Sequence, residues 1–162
     1  MGIELASRED LNIIMDIYAG AVELMNSRGN ASQWVNGYPD IGTIEKDIEL
    51  GRLYVLKDEG GRILCQFCFY VGEEPSYNQI DGHWTNDASY GVVHRLASSG
   101  LVSGVGKTCL EWCYAQHANL RIDTHEDNRN MQELLRALGY HECGTIRVYN
   151  GTERVAFQKC NI

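Results

Sequence analysis

The stretch Leu101-Val-Ser-Gly-Val-Gly-Lys-Thr108 carries the clearest chemical signal in the chain. It follows a strand-like run and opens a helical one. At such a junction unpaired backbone N–H groups and the helix dipole can hold an anion. Gly104 and Gly106 remove the Cβ atoms that would keep a phosphate off the backbone, and Lys107 adds a positive charge. A second titratable set lies on the run Leu120–His125. Strand alternation there puts Arg121, Asp123 and His125 on one face, with Ile122 and Thr124 on the other. Trp34, Tyr38, Tyr77 and Trp84 fall in two long polar segments, where ring faces can cradle a cation or anchor the loops on the core. His94 sits on an apolar strand with Val92 and Leu96, the setting of a buried, hydrogen-bonded imidazole.

Gly106-Lys107-Thr108 matches the last three positions of a nucleotide-triphosphate P-loop. That motif needs a glycine five residues earlier, where this chain has Leu101, and only 54 residues follow Thr108 to build the rest of a parallel sheet. The cysteines give no metal pattern either. Cys65 and Cys68 form a C-x-x-C on a strand, which points them to opposite faces, and Cys109 and Cys113 stand at i,i+4 beside Trp112 in a core-like helix. All six cysteines read as reduced structural thiols, and no metal is expected.

The elements that must position these groups follow from periodicity. Ile3–Leu5 reads as a short strand, and Ser7-x-x-Asp10 starts a capping pattern. Leu11, Ile14, Met15, Tyr18, Val22 and Met25 then mark an amphipathic helix. After a loop over Asn26–Pro39, Thr43 is the expected cap of a helix at Ile44–Leu50, closed by Gly51. Leu53–Lys57 and Arg62–Val71 form a hairpin through Glu59-Gly60-Gly61. Glu73–Ser89 is a polar loop and Tyr90–Ala97 a strand. A helix from Val105 to His117, the strand Leu120–His125 and a helix from Asn128 to Leu138 come next. Strands Tyr140–Ile146 and Arg154–Lys159, joined around Asn150-Gly151, close the chain. The order β-α-α-β-β-β-α-β-α-β-β describes one α/β (α+β) domain over residues 1–162, antiparallel in its first half with a β-α-β unit in the second.

Length and composition agree. At 162 residues, 44% hydrophobic and 22% charged, the chain is an ordinary globular one that should bury roughly 70% of its unfolded surface. Its net charge of −8 opposes nucleic-acid binding through a basic face and suits a cationic partner. The opening MGIELASRED turns acidic at once and no run of 18 apolar residues occurs, so neither a signal peptide nor a membrane span is expected and the cytoplasm is the expected location.

Gly-x-Gly between a strand and a helix, with Asn128 placed 11 residues before Gly139-Tyr140, resembles the GNAT superfamily of N-acetyltransferases. The family's pyrophosphate loop reads Arg/Gln-x-x-Gly-x-Gly/Ala, and Leu101-x-x-Gly104-x-Gly106 keeps both glycines while losing the polar first residue. Val93–Ala97 resembles the family's fourth strand. Leu120-Arg-Ile-Asp-Thr-His-Glu-Asp-Asn128 followed by Met131-Gln132 looks like a bacterial branch. The resemblance implies a mixed, mostly antiparallel twisted sheet of six to seven strands flanked by about four helices, with acetyl-CoA as cofactor. It implies that Leu96, Ala97 and Ser98 pair with the pantetheine arm, that Val102, Ser103, Gly104, Val105, Gly106 and Lys107 take the pyrophosphate, and that Asn128 contacts the arm. Taken alone, the two glycines are also ordinary turn residues and Asn128 an ordinary helix cap.

Acetyl transfer to an amine needs a base for the amine and an acid or other stabiliser for the departing thiolate. Many relatives place a tyrosine seven residues after the asparagine, where this chain has Leu135; Tyr140 and Tyr149 are substitutes by residue type only. A branch acting on ribosomal proteins carries a glutamate five residues before the asparagine, which maps to Asp123. Asp123 or His125 is therefore the expected base, with an ion pair between Asp123 and Arg121 or another basic group as the alternative role. In this fold the two long loops border the acceptor groove, so Trp34, Tyr38 and Trp84 are candidate acceptor contacts. The expected reaction is transfer to a primary, cationic amine of a small molecule, peptide or protein by direct attack in a ternary complex. A non-catalytic acyl-CoA-binding module of the same fold is the rival. Oligomeric state is not readable from the sequence, and a homodimer stays open.

Overall fold

The structure, a computed structural model, describes residues 1–161. β1 (Gly2–Leu5) ends two residues before Ser7, whose backbone N–H donates to the Asp10 carboxylate at 3.0 Å and turns the chain into α1 (Leu11–Ser27). Along α1 the expected apolar stripe is the buried one, with Ile14 and Tyr18 fully covered. α2 spans Ile41–Glu49, starting three residues ahead of the expected Ile44. Its cap is Asp40, not Thr43: Asp40 sits in extended backbone and its carboxylate accepts the Thr43 N–H at 3.3 Å. The carboxylate thus satisfies the N–H of Thr43, which lies inside the first turn of the helix.

β2 (Leu53–Lys57) and β3 (Ile63–Val71) pair as the predicted hairpin. The loop after β3 holds a 3-10 turn at Pro75–Tyr77 and a two-residue strand, β4 (Asp81–Gly82). Then come β5 (Gly91–Ser98), α3 (Val105–Gln116), β6 (Asn119–Thr124), α4 (Arg129–Ala137), β7 (His141–Arg147) and β8 (Glu153–Cys160). One sheet runs in the order β1-β2-β3-β5-β6-β8-β7-β4, with β5 and β6 parallel and every other pair antiparallel. It has eight strands against the expected six to seven, the surplus including β4. Two residues give no period to read. β4 exists because Gly82 and Gly144 let two backbones approach: a Cβ on Gly82 would lie 2.2 Å from the Cys143 carbonyl oxygen.

Helices cover both faces. α3 and α4 bury Val105, Cys109, Leu110, Cys113 and Leu135 against Phe67, Val93, Leu120, Ile122 and Phe157. On the other face α1 and α2 bury Ile14, Tyr18 and Ile44 against Leu53, Val55 and Ala97, with Trp34 from the connecting loop. Cys65 joins the α3 side, and Cys65, Cys68, Cys109 and Cys113 are buried free thiols. No helix among the described residues is long and apolar enough to cross a membrane.

Candidate functional site

The site is set by a defect in the sheet. β5 and β6 pair only at Gly91↔Leu120 and Val92↔Arg121, and beyond that they part. On its other edge β5 stays on β3, with a bulge: β3 runs from Gln66 to Cys68 while β5 runs from Ala97 to His94, one residue more. The extra residue is taken up near Arg95, whose φ of +54° is rare for a side-chain-bearing residue. Arg95 is held there by three groups. Its guanidinium donates to both Asp47 oxygens at 2.7–3.0 Å and to the Tyr38 hydroxyl at 2.8 Å, and its carbonyl accepts the Tyr18 O–H at 2.8 Å.

A cavity of about 520 Å³ opens in the gap between the parted strands. Trp34, Tyr38 and Tyr149 form an aromatic wall, with the Tyr38 and Tyr149 rings 5.0 Å apart. Asp40, Glu74, His94, Arg95, Asp123 and Arg154 line it as charged or titratable groups. His94 Nε2 meets Glu74 Oε1 at 3.0 Å, and Glu74 Oε2 accepts the Ser76 N–H at 3.1 Å. The His94 hydrogen bond holds the Glu74 carboxyl below its ordinary value of 4.5. Among the described residues nothing hydrogen-bonds Nδ1 of His94, and that atom is not sealed from the cavity.

Asp123 is built in more tightly. Its Oδ2 accepts the Tyr77 hydroxyl at 2.6 Å and its Oδ1 lies 3.8 Å from Arg154, both side chains being 6% exposed. Burial, then the Asp123 charge, pushes the Tyr77 phenol well above its usual range, so this hydroxyl stays a donor. The ion pair is therefore with Arg154. Arg121 instead lies over the Trp84 and Tyr90 rings at 4.4 and 4.1 Å and donates to the Asn86 carbonyl.

A groove flanks the gap on the other side of the β5 end. Leu96, Ala97 and Ser98 line it with Ser99 and Gly100, opposite Ile13, Ile17, Gly20 and Leu24 of α1 and beside Asp127–Asn130 at the start of α4. Met25, Leu96 and Asn128 line both groove and cavity, so the two adjoin at these residues. Asn128 is a true cap: its Oδ1 accepts the Met131 N–H at 3.2 Å and its Nδ2 donates to Gln33 at 3.2 Å. Gly104 caps α3 at φ +78°, and the first bond of that helix is Thr108 N–H to the Gly104 carbonyl at 3.3 Å. The N–H groups of Val105, Gly106 and Lys107 thus precede the helical ladder. Leu101–Gly104 is exposed, the Val105 side chain is 3% exposed in the core, and Lys107 pairs with Glu111 at 3.7 Å.

Three expected residues are elsewhere. His125 is not part of the cavity wall. β6 ends at Thr124, so alternation no longer governs it, and its Nδ1 accepts the Asp127 N–H at 3.0 Å. Trp84 also stays off the wall, donating from Nε1 to the Tyr77 carbonyl at 2.9 Å and packing on the Tyr77 ring at 5.1 Å. Of the two substitute tyrosines, Tyr140 is buried in the α3–α4 core with its hydroxyl unpartnered, whereas Tyr149 reaches the cavity. Sequence reasoning missed Glu74, which lay in an aperiodic loop, and read His94 only as a hydrogen-bonded strand residue. It also missed Gln33. This buried side chain accepts from Asn30, Thr124, His125 and Asn128, tying the first long loop to the end of β6.

No family model matches the chain, and no curated protein matches it. Solved structures do. An acetyltransferase of the GNAT family from Streptococcus agalactiae 2603 is 31% identical over 99% of this chain and 95% of its own, with a TM-score of 0.89. Two others share the fold at lower identity. A ribosomal-protein-alanine N-acetyltransferase from Brucella melitensis is 18% identical over 99% of each chain, with a TM-score of 0.63. A GNAT superfamily phosphinothricin acetyltransferase from Sinorhizobium meliloti, solved in complex with AcCoA, is 13% identical over 98% of this chain and 86% of its own, also at 0.63.

Proposed function

The chain belongs to the GNAT family of acetyltransferases, and on that premise we propose that it moves the acetyl group of acetyl-CoA to a primary amine by direct attack in a ternary complex. The observation that carries this reading is the parting of β5 from β6. It joins a groove to an acid-lined cavity at Met25, Leu96 and Asn128, so a donor in one and an acceptor in the other can meet in the gap. The groove suits acetyl-CoA. From Val93 onward β5 has no ladder partner on its β6 side, leaving backbone groups for an amide-bearing arm. The amides at the start of α3 suit the pyrophosphate.

In the cavity Glu74 and Asp123 favour a cationic acceptor, and the Trp34, Tyr38 and Tyr149 rings can face its charge. His94 is the base. With Nε2–H donated to Glu74, the unbonded Nδ1 keeps a lone pair that takes one proton from the ammonium and frees the amine. Nitrogen then forms the C–N bond, the C–S bond breaks, the second proton shed as the nitrogen becomes an amide passes to solvent, and the thiolate leaves with its electron pair and takes a proton from solvent. Asp123, saturated by Tyr77 and Arg154, orients the ammonium group. Burial pushes the Cys68 thiol up to about 12, which argues against a thiolate nucleophile beside this site and for direct attack. The free thiols fit a reducing compartment, and a cytosolic setting belongs to the same proposal.

Thiol release from acetyl-CoA over an amine panel, run beside calorimetric titration with CoA, tests the reading. CoA binding with turnover on a cationic amine supports it. CoA binding without turnover on any amine replaces it with an acyl-CoA-binding module, a rival favoured by the buried Leu135 where relatives carry tyrosine. Parallel double-reciprocal lines would argue for a covalent acyl-enzyme instead.

A further inference from the structure

The cavity lining divides into two chemically different sets. One is charged and polar, with Glu74, His94 and Asp123 beside Asp40, Arg95 and Arg154, whereas the other, its apolar floor, is Val93, Leu96, Leu110, Ile122 and Met131 together with Met25. Val93 and Ile122 are the next residues after the last paired ones on β5 and β6, so the floor begins where the ladder stops. Leu110 of α3 lies among the α3-side core residues with Val93 and Ile122, and all three are at most 5% exposed. These six side chains offer no strong hydrogen-bonding group. Water in the floor would lack the partners it needs, so the natural occupant is an alkyl chain.

We propose that the floor receives the alkyl tail of the acyl donor and that the enzyme transfers straight-chain acyl groups longer than acetyl, from propionyl to hexanoyl. The proposal rests on the groove being the acyl-CoA site. Position chooses the donor over an apolar part of the acceptor, because Met25 and Leu96, which border the floor, also line the groove. The acceptor's charged end is met by Glu74, His94 and Asp123 on the polar part of the lining. The chemistry is unchanged in balance: His94 takes one proton from the ammonium, the acyl C–N bond forms, the C–S bond breaks, the second nitrogen proton passes to solvent, and CoA leaves as a thiolate that solvent protonates.

Calorimetric titration of the full chain with CoA and with acetyl-, propionyl-, butyryl- and hexanoyl-CoA tests this without a known acceptor. Affinity should rise about fourfold per added methylene until the floor is filled. Ile122→Phe should collapse the butyryl-to-acetyl affinity ratio towards one. Val93→Ala, which opens the floor, should move the favoured chain length upward and guards against misfolding of the bulkier variant. Binding of CoA and acetyl-CoA with no gain along the series overturns this inference alone. Failure of CoA itself to bind overturns the function proposed above, and this inference with it. Affinity that climbs with the alkyl length of an amine, in place of the acyl chain, also overturns it.

Discussion

Removing the Asp47 carboxylate tests whether a buried charge pair holds the bulge that opens the site. The Arg95 and Asp47 side chains are 13% and 9% exposed, and both carboxylate oxygens accept from the guanidinium at 2.7–3.0 Å. A pair this far from solvent differs from the surface kind, which is worth about 1 kcal/mol or less. Asp47→Ala leaves the guanidinium in place with the Tyr38 hydroxyl as its remaining side-chain partner, and stranding a buried charge costs about 3–5 kcal/mol. For a chain of this size each kcal/mol lowers Tm by about 2–4 °C, so the variant should melt about 6–20 °C lower in calorimetry or circular dichroism. The double variant Asp47→Leu/Arg95→Met removes both charges and should recover much of the loss. A fall of less than about 3 °C would mean that Arg95 swings into water and that the pair does not pin the bulge. A double variant as unstable as Asp47→Ala would show that the loss comes from packing and not from the stranded charge.

Three further outcomes follow from particular contacts. Because hydrogen bonding to His94 lowers the Glu74 pKa, its stabilisation is complete above the ordinary 4.5 and is lost as pH falls through the lowered value. Urea midpoints between pH 6 and 3 should therefore fall more steeply for the native protein than for Glu74→Gln. Gly144→Ala places a Cβ 2.1 Å from the Asp81 carbonyl oxygen at φ +149°, so backbone strain alone should cost about 1–3 kcal/mol by denaturant titration, with β4 detached. Leu135→Tyr, which restores the residue relatives carry, should lower stability by about 1–3 kcal/mol by overpacking a fully buried position. It should not raise turnover, since Leu135 is not on the cavity wall.

What could be read from the sequence was local. Helical spacing from Leu11 to Met25, the strand runs, and the glycines opening α3 are properties of a few adjacent residues, and the elements stand as expected with strand ends displaced by about one residue. The site's working contacts join residues far apart: Arg95 with Asp47, 48 positions away, and Asp123 with Tyr77, 46 away. No periodicity encodes such pairs. Glu74 illustrates the limit, since one carboxylate in an acidic, aperiodic loop looks like any other until β5 brings His94 beside it. His125 shows the reverse. The alternation that correctly placed Asp123 was extended one residue past the strand's end, where backbone turning replaces the pleat. Trp84 is a candidate by its place in a long polar loop and Tyr140 by residue type; Trp84 packs partly buried on Tyr77, and Tyr140 lies in the core.

The short β5–β6 ladder makes this sheet two plates, β1-β2-β3-β5 and β6-β8-β7-β4, joined at two residue pairs. α3 leaves one plate, packs across the seam and returns the chain to the other, so its buried side chains tie the plates together where the ladder does not. A molecule bound in the gap takes the place of the missing rungs. Its binding energy adds directly to the free energy of separating the plates, and the same contacts that hold a substrate complete the cooperative unit. Emptying the gap removes that contribution, so the ligand-bound protein should resist separation of the plates more than the free protein does.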